Sequence, residues 1–118
     1  MALQGQILVV DDQVALAENI AEVLAMFGYR SAVASSAAEA LLLFNDGVAA
    51  LITDFRMPEM SGAELIAEIR RRGSQIPALV ITAHTDDGTI RASTDAGATT
   101  VLPKPIAMER LIALIQTM

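Results

Sequence analysis

The sequence predicts an α/β domain in which a parallel β-sheet is covered by helices on both faces. Segments with strand patterns alternate with segments with helix patterns along the 118-residue chain, as expected of consecutive βα units. The strand-like segments are short and almost entirely apolar, as in Ile7–Val10 and Ala78–Ile81, which is typical of strands buried on both faces. Five βα units account for the whole chain.

The first half of the chain contains two units. A strand is expected over about Gln6 to Val10, and a helix over about Gln13 to Met26 has apolar residues at the spacing of one helical face. A second strand follows over Tyr29 to Ala34. The second helix is expected over about Ser36 to Asn45, because Ser36 and Glu39 have the spacing of a capping box.

The second half of the chain contains three more units. They consist of strands over about Ala50–Thr53, Ala78–Ile81 and Thr100–Leu102, and helices over about Ser61–Arg72, Asp87–Asp95 and Met108–Gln116. Ser61 and Glu64 repeat the capping-box spacing. The fourth helix has the least helical sequence, because several of its residues have low helix propensity and Ile90 is its one large apolar anchor.

Composition excludes several classes of protein. The chain is 53% hydrophobic but only 3% aromatic, so an aliphatic core of one domain is expected. The absence of cysteine excludes disulfides and thiolate metal sites. A net charge of −6 disfavours binding to nucleic acid or an anionic membrane. No apolar run reaches the ~20 residues of a membrane helix, and Met1–Gln6 lacks the features of a secretory signal, so a cytoplasmic protein is expected.

Polar residues with chemically useful side chains follow four of the predicted strands. They are Asp11 and Asp12, Asp54, Thr82 and Lys104. The carboxyl ends of parallel strands meet at one edge of an open sheet, where ligands bind. We therefore expect three carboxylates, a hydroxyl and an ammonium group to share one pocket.

Three neighbouring carboxylates repel each other, by about 4 kcal/mol for a pair at ~4 Å and an effective dielectric constant of ~20. Either one carboxyl stays protonated or a cation offsets the repulsion. Mg²⁺ suits such a site because it takes oxygen ligands and is usually held by one or two carboxylates plus a phosphate. A carboxylate can also attack phosphorus to form an aspartyl phosphate, so the pocket is suited to phosphoryl transfer.

Four of these five residues also have a simpler interpretation when taken alone. Asp12 alone would be a helix N-cap, Asp54 a turn residue, Thr82 an ordinary strand residue and Lys104 a solvated charge. Together these readings require all five to coincide at one edge by chance, which favours the acidic pocket. Arg70-Arg71-Arg72 is expected to be a solvated helix end, favoured by the helix dipole.

The chain resembles the receiver domains of two-component response regulators over nearly its whole length. The segments that carry the resemblance are Ile7–Asp12, Leu51–Gly62, Val80–Ala83 and Leu102–Pro105. The resemblance implies a flavodoxin-like (βα)5 three-layer sandwich with strand order 2-1-3-4-5. It also implies a signalling phosphoacceptor rather than an enzyme.

The resemblance further assigns roles to individual residues. It implies Asp54 as the phosphoacceptor. The implied ligands of Mg²⁺, or of Mn²⁺ in its place, are Asp11, Asp12, Asp54 and the backbone carbonyl of Arg56. The implied phosphoryl-binding and switch residues are Thr82, Ala83 and Lys104. The Lys104–Pro105 bond is expected to be cis.

Three residues are candidate modulators of this site. Val101 occupies the position at which family members commonly carry a switch aromatic residue, and its short β-branched side chain has little rotational reach for the usual threonine–aromatic coupling. Arg56 can reach over the pocket mouth and pair with Glu59 or His84, and His84 is expected at the pocket rim unless it is a surface residue without a role. With Val101 in place, we expect phosphorylation to act by ordering residues 85–96.

The resemblance implies a sensor histidine kinase or histidine phosphotransfer domain as phosphodonor, a downstream output domain or protein, and a phosphorylation-dependent dimer through the fourth helix, fifth strand and fifth helix. The chain is expected to be a receiver over residues 1–118, without an output domain, excised from a larger regulator or hybrid kinase; a stand-alone regulator is the alternative. Competing readings are a Mg²⁺-dependent phosphohydrolase with an aspartyl-phosphate intermediate, a nucleotide-binding domain and an unphosphorylated pseudo-receiver. An acidic first turn without glycine disfavours nucleotide binding.

Overall fold

The fold is an α/β sandwich with one parallel sheet, in a computed structural model that describes residues 4–118. The elements are β1 Gln6–Val10, α1 Val14–Met26, β2 Arg30–Ala34, α2 Ala37–Leu43, β3 Val48–Asp54, α3 Gly62–Arg71, β4 Ala78–Thr82, α4 Asp87–Ala96, β5 Thr100–Pro103 and α5 Met108–Gln116. The strand order is β2-β1-β3-β4-β5 and all neighbouring pairs are parallel, which confirms the predicted fold. Residues Met1–Leu3, which belong to the segment Met1–Gln6 predicted not to be a secretory signal, lie outside the residues that the structure describes.

Three layers result from the alternation of side chains along each strand. Ile7 and Val9 of β1 face the cluster formed with α1 and α5, whereas Leu8 and Val10 face the cluster formed with α2 and α3. Both faces of the central strands are therefore buried. None of the helices within residues 4–118 has the length and hydropathy that a membrane span requires.

Two predicted boundaries differ from the structure by two residues, and other boundaries differ by one. β3 begins at Val48 rather than Ala50, because Gln6 pairs with Val48 across an irregularity in the β1–β3 register. α2 ends at Leu43 rather than near Asn45, because Phe44 is extended and the Asn45 side chain accepts a 2.7 Å hydrogen bond from the Gly47 N–H.

The two predicted helix caps are present, in different forms. Ser61 and Glu64 form a full capping box at the start of α3. The hydroxyl of Ser36 accepts a 3.0 Å bond from the Glu39 N–H, but the Glu39 carboxylate accepts from the backbone N–H of Ser35, one residue before the cap. The Ser36 cap is therefore half of a capping box.

The predicted anchor of the fourth helix was wrong. Ile90 is 40% exposed, and the residues that α4 buries are the polar Thr89 and Ser93. The helix is defined by its ends instead: the Asp86 side chain accepts from the Thr89 N–H at 2.8 Å, and Gly97 adopts a left-handed conformation beyond Ala96.

The solvated helix end predicted for Arg70-Arg71-Arg72 was also wrong for its first residue. Arg71 and Arg72 are exposed and pair with Glu68. Arg70 is partly buried, and its guanidinium donates to the carbonyl oxygens of Ser74 at 3.2 Å, Ile76 at 2.7 Å and Gly97 at 2.8 Å. This side chain therefore joins the end of α3 to the end of α4.

Candidate functional site

Three carboxylates meet at the carboxyl edge of the sheet. β1 and β3 are neighbours with Val10 opposite Thr53, so Asp11 and Asp54 emerge side by side. One carboxylate oxygen from each of Asp11, Asp12 and Asp54 lies within 4.8 Å of the other two. Asp11 and Asp54 are buried and Asp12 is exposed, so the cluster is open on one side.

Lys104, the only lysine of the chain, reaches this cluster from the end of β5. Its Nζ lies 3.2 Å from Asp11 Oδ2 and 3.3 Å from Asp54 Oδ2. It is not the solvated charge that its sequence context alone would suggest. The Lys104–Pro105 peptide bond that follows is cis.

The cluster has more negative than positive charge. Burial raises the pKa of Asp54, and the neighbouring Asp11 raises it further, while Lys104 acts in the opposite direction. Burial lowers the pKa of Lys104, but its attraction to Asp54 and Asp11 outweighs that effect and the net change is upward. Three carboxylates face one ammonium group, which leaves a formal excess of two negative charges for a cation to balance.

Asp12 does not cap α1. The N-cap is Gln13, which has no side-chain capping bond, and it is the Asp11 carboxylate that accepts the Gln13 N–H at 2.9 Å. The simpler interpretation of Asp12 was therefore wrong. Its carboxylate belongs to the acidic cluster.

Thr82 ends β4 at the same sheet edge and is buried. Its Oγ1 accepts a 2.9 Å hydrogen bond from the His84 N–H and lies 3.3 Å from the His84 carbonyl oxygen, to which it donates. Ala83 and His84 themselves are exposed. In this structure the threonine hydroxyl therefore holds the loop between β4 and α4.

The candidate modulators differ in their exposure. Arg56 is exposed, and within residues 4–118 it forms no ion pair or hydrogen bond with Glu59 or His84, so the pairing expected from the sequence is not present. Val101 is partly buried on β5 and packs against the cluster on the α2 and α3 face.

Sequence reasoning missed one residue beside the phosphoacceptor candidate. Thr53 is fully buried, and its hydroxyl donates to the carbonyl oxygen of Asp54 at 2.9 Å. The sequence pattern places it only as the last residue of the predicted strand Ala50–Thr53. The signal available in the sequence was a lone hydroxyl directly after the apolar run Ala50–Ile52 and directly before Asp54.

Comparison with known proteins agrees with this geometry. The response regulator receiver domain family matches residues 7–116. A response regulator receiver protein of Anaeromyxobacter is 45% identical over 108 residues, which cover 91% of this chain and 45% of the relative. The response regulator MprA of Mycobacterium avium is 38% identical over 114 residues, which cover 96% of this chain and 50% of the relative. The chain thus spans about half the length of these relatives.

Solved structures show the same fold. A CheY-like receiver domain from Methanospirillum hungatei superposes with a TM-score of 0.89 at 25% identity, covering 96% of this chain and 91% of that one. The chemotaxis protein CheY4 of Vibrio cholerae also gives 0.89, at 27% identity and with coverage of 97% and 98%. The chain therefore belongs to the response regulator receiver domains, the phosphoacceptor family of two-component signalling.

Proposed function

We propose that this domain accepts a phosphoryl group on Asp54 from the phosphohistidine of a sensor histidine kinase or histidine phosphotransfer domain. The observation that supports it best is the Asp54 carboxylate at the sheet edge, with the Lys104 ammonium 3.3 Å away and two further carboxylates within 4.8 Å. In the transfer, a carboxylate oxygen of Asp54 forms the new P–O bond while the P–N bond breaks. The departing imidazole nitrogen takes a proton from solvent.

A divalent cation fits the donor set of this site. Asp11, Asp12 and Asp54, with the backbone carbonyl of Arg56, would hold Mg²⁺ or Mn²⁺, both of which bind oxygen ligands. When bound, the cation supplies charge stabilisation for the phosphoryl oxygens. It also balances the excess negative charge of the cluster.

The remaining site residues bind the phosphoryl group directly. Lys104 pairs with one phosphoryl oxygen, and the Thr82 hydroxyl and the Ala83 N–H donate hydrogen bonds to others. Thr82 must give up its bond to His84 to do so, because its one hydroxyl hydrogen is used there. Phosphorylation thereby releases the His84 carbonyl oxygen, while Thr82 Oγ1 keeps its capacity to accept the His84 N–H.

We assign the consequence of that release to signalling rather than to turnover of a substrate. The phosphorylated domain passes its state to an output domain or protein, or to a second copy through α4, β5 and α5, in the cytoplasm. Arg56 and His84, exposed beside the site, set how readily water reaches the acyl phosphate. The whole of residues 1–118 serves as the receiver.

The test is incubation with Mg²⁺ and acetyl phosphate, followed by intact mass and peptide mapping. We expect one phosphoryl group per chain on Asp54, none on Asp54→Asn, and wild-type labelling of the matched variant Asp95→Asn, which changes an exposed aspartate on α4. Release of many phosphates per chain would instead indicate the phosphohydrolase. Neither labelling nor turnover would contradict the proposal and indicate a pseudo-receiver.

A further inference from the structure

Thr53 places a hydroxyl group between two valines of the neighbouring strands. In the sheet it stands opposite Val10 of β1 and Val80 of β4, and both valines belong to the apolar cluster on the α2 and α3 face. Thr53 itself is fully buried. Valine has the same shape without the hydroxyl, so packing alone does not explain threonine here, and a buried hydroxyl is unfavourable unless it is hydrogen-bonded.

The hydroxyl bonds to the backbone of the phosphoacceptor candidate. It donates to the Asp54 carbonyl oxygen at 2.9 Å, and the other polar atom of the same peptide, the Phe55 N–H, donates to the Ile81 carbonyl oxygen at 3.1 Å. A Cβ at Gly62 would lie 2.2 Å from the Asp54 oxygen, so the start of α3 closes on this carbonyl as well. The plane of the Asp54–Phe55 peptide is therefore held on both sides.

The orientation of this peptide matters to the site in two ways. It sets the direction of the Asp54 side chain relative to Lys104 and Asp11, because that side chain is attached to the Cα atom directly before this peptide. It also sets the path of the chain toward Arg56, whose carbonyl belongs to the proposed cation ligands. A small rotation here moves both groups.

We propose that Thr53 is a positioning residue for phosphorylation, acting through the Asp54–Phe55 peptide. This inference rests on the proposed function, since it presumes Asp54 as acceptor. Misplacement of reacting groups by about 1 Å reduces rates by up to about a hundredfold. Loss of one hydrogen bond from a peptide with other contacts is expected to reduce the rate about tenfold.

The experiment compares Thr53→Val and Thr53→Ser with the wild type. With acetyl phosphate and Mg²⁺, we expect Thr53→Val to reduce the labelling rate at saturating donor about tenfold. The same variant should need a higher Mg²⁺ concentration for half-maximal labelling. The labelling rate of Thr53→Ser should stay within about twofold of wild type. Ile69→Val, in the same core cluster, is the control for lost packing and is expected to lower Tm without changing the rate.

Two outcomes overturn the inference. One is a Thr53→Val protein labelled at the wild-type rate with wild-type Mg²⁺ dependence, and the other is a Thr53→Ser protein as slow as Thr53→Val. If Thr53→Val does not fold, the pair Thr53→Ala and Thr53→Ser isolates the hydroxyl, because both lack the methyl group, and equal rates contradict the inference. A wild type that is not labelled at all disproves the proposed function instead.

Discussion

At the scale of single residues, this site is defined by buried charge. Asp11 and Asp54 are both removed from water, and each lies within 3.3 Å of the Lys104 ammonium, so one cation is shared by two anions. The third carboxylate, of Asp12, is exposed. The resulting imbalance opposes folding when no cation is bound, and it is the physical reason that a divalent ion is expected to bind.

Removing the Asp54 charge should stabilise the metal-free protein. Because burial and Asp11 raise its pKa in the folded state, ionisation of Asp54 favours unfolding. This destabilisation is absent below the unfolded-state pKa and fully present above the folded-state pKa, hence at neutral pH. Asp54→Asn should therefore gain about 1 kcal/mol, roughly 4 °C in Tm, at neutral pH.

The measurement is thermal unfolding in a chelator at several pH values. The gain should shrink as the pH falls below the range in which the Asp54 carboxyl is ionised, and Asp95→Asn should show no comparable gain. An Asp54→Asn protein less stable than wild type at neutral pH would contradict this account of the site.

Glu59 gives a second prediction at this scale. Its φ of 70° is left-handed, and it is the only non-glycine residue with positive φ in the described chain. Glycine adopts this conformation without steric cost, so Glu59→Gly should raise stability by about 0.5–1 kcal/mol in urea unfolding. Glu22→Gly, at an exposed site within α1, should lower it by a similar amount. A loss at Glu59 would show that its side chain contributes more than its backbone conformation costs.

At the scale of elements, α4 is the helix whose buried residues are all polar. It buries only Thr89 and Ser93, and the Ser93 hydroxyl has no hydrogen-bond partner among residues 4–118. Its C-terminal end is held by Arg70, whose guanidinium donates to the Gly97 carbonyl oxygen. The Arg70 side chain also packs closely against Gly97, because a Cβ atom added there would lie 2.9 Å from Arg70 Nε. A helix held at its ends is suited to the phosphorylation-dependent ordering expected over residues 85–96.

Two substitutions should change α4 in opposite directions. Arg70→Met leaves three carbonyl groups without their donor and should lower hydrogen-exchange protection of the α4 amides about tenfold. Ser93→Ala removes an unpaired buried hydroxyl and improves helix propensity, so it should raise that protection about tenfold.

Matched controls exist for both substitutions. Arg71→Met changes an exposed arginine of the same helix, and Thr94→Ala changes propensity on the exposed face of α4. Each control substitution should change the hydrogen-exchange protection of the α4 amides less than the substitution with which it is matched. If protection of α4 changes only in parallel with that of β1 and β3, α4 does not open independently and this view of the helix is wrong.

At the scale of the whole molecule, sheet order brings distant residues together. β1 and β3 are central neighbours, so Asp11 and Asp54 meet although 43 positions separate them in the sequence, and β5 carries Lys104 to the same edge. Helices on both faces leave this edge as the open end of the sandwich. A ligand that binds there requires the folded state.

Mg²⁺ should therefore stabilise the fold as a whole. A cation present at a hundredfold excess over its Kd adds about 2.7 kcal/mol to the free energy of unfolding. Asp12→Asn should weaken binding about tenfold or more, because it removes one of three carboxylates without breaking a core contact. Thermal unfolding across a Mg²⁺ titration measures both, with Asp46→Asn, at an exposed turn, as the control. Absence of any Mg²⁺ effect on wild-type Tm would contradict the cation site.

The sequence by itself determined the class of fold, the ten elements and the five polar residues at the carboxyl edge of the sheet. Apolar periodicity identifies buried strands and helix faces, and a polar residue directly after a buried strand must lie at the sheet edge. Strand order came from the family resemblance, because periodicity carries no information on which strands are neighbours.

Only the tertiary structure decided what certain side chains contact. The sequence predicts Arg70 as a solvated charge, but its guanidinium donates to three carbonyl groups. It predicts Ile90 as a core anchor, but Ile90 is exposed. It places Thr53 only as a strand residue, whereas the Thr53 hydroxyl donates to the Asp54 carbonyl oxygen. Local sequence specifies the pattern of an element, whereas the partner of a side chain depends on how separate elements pack. Hydrogen-bond acceptors that lie up to 27 positions away are not visible in a local pattern.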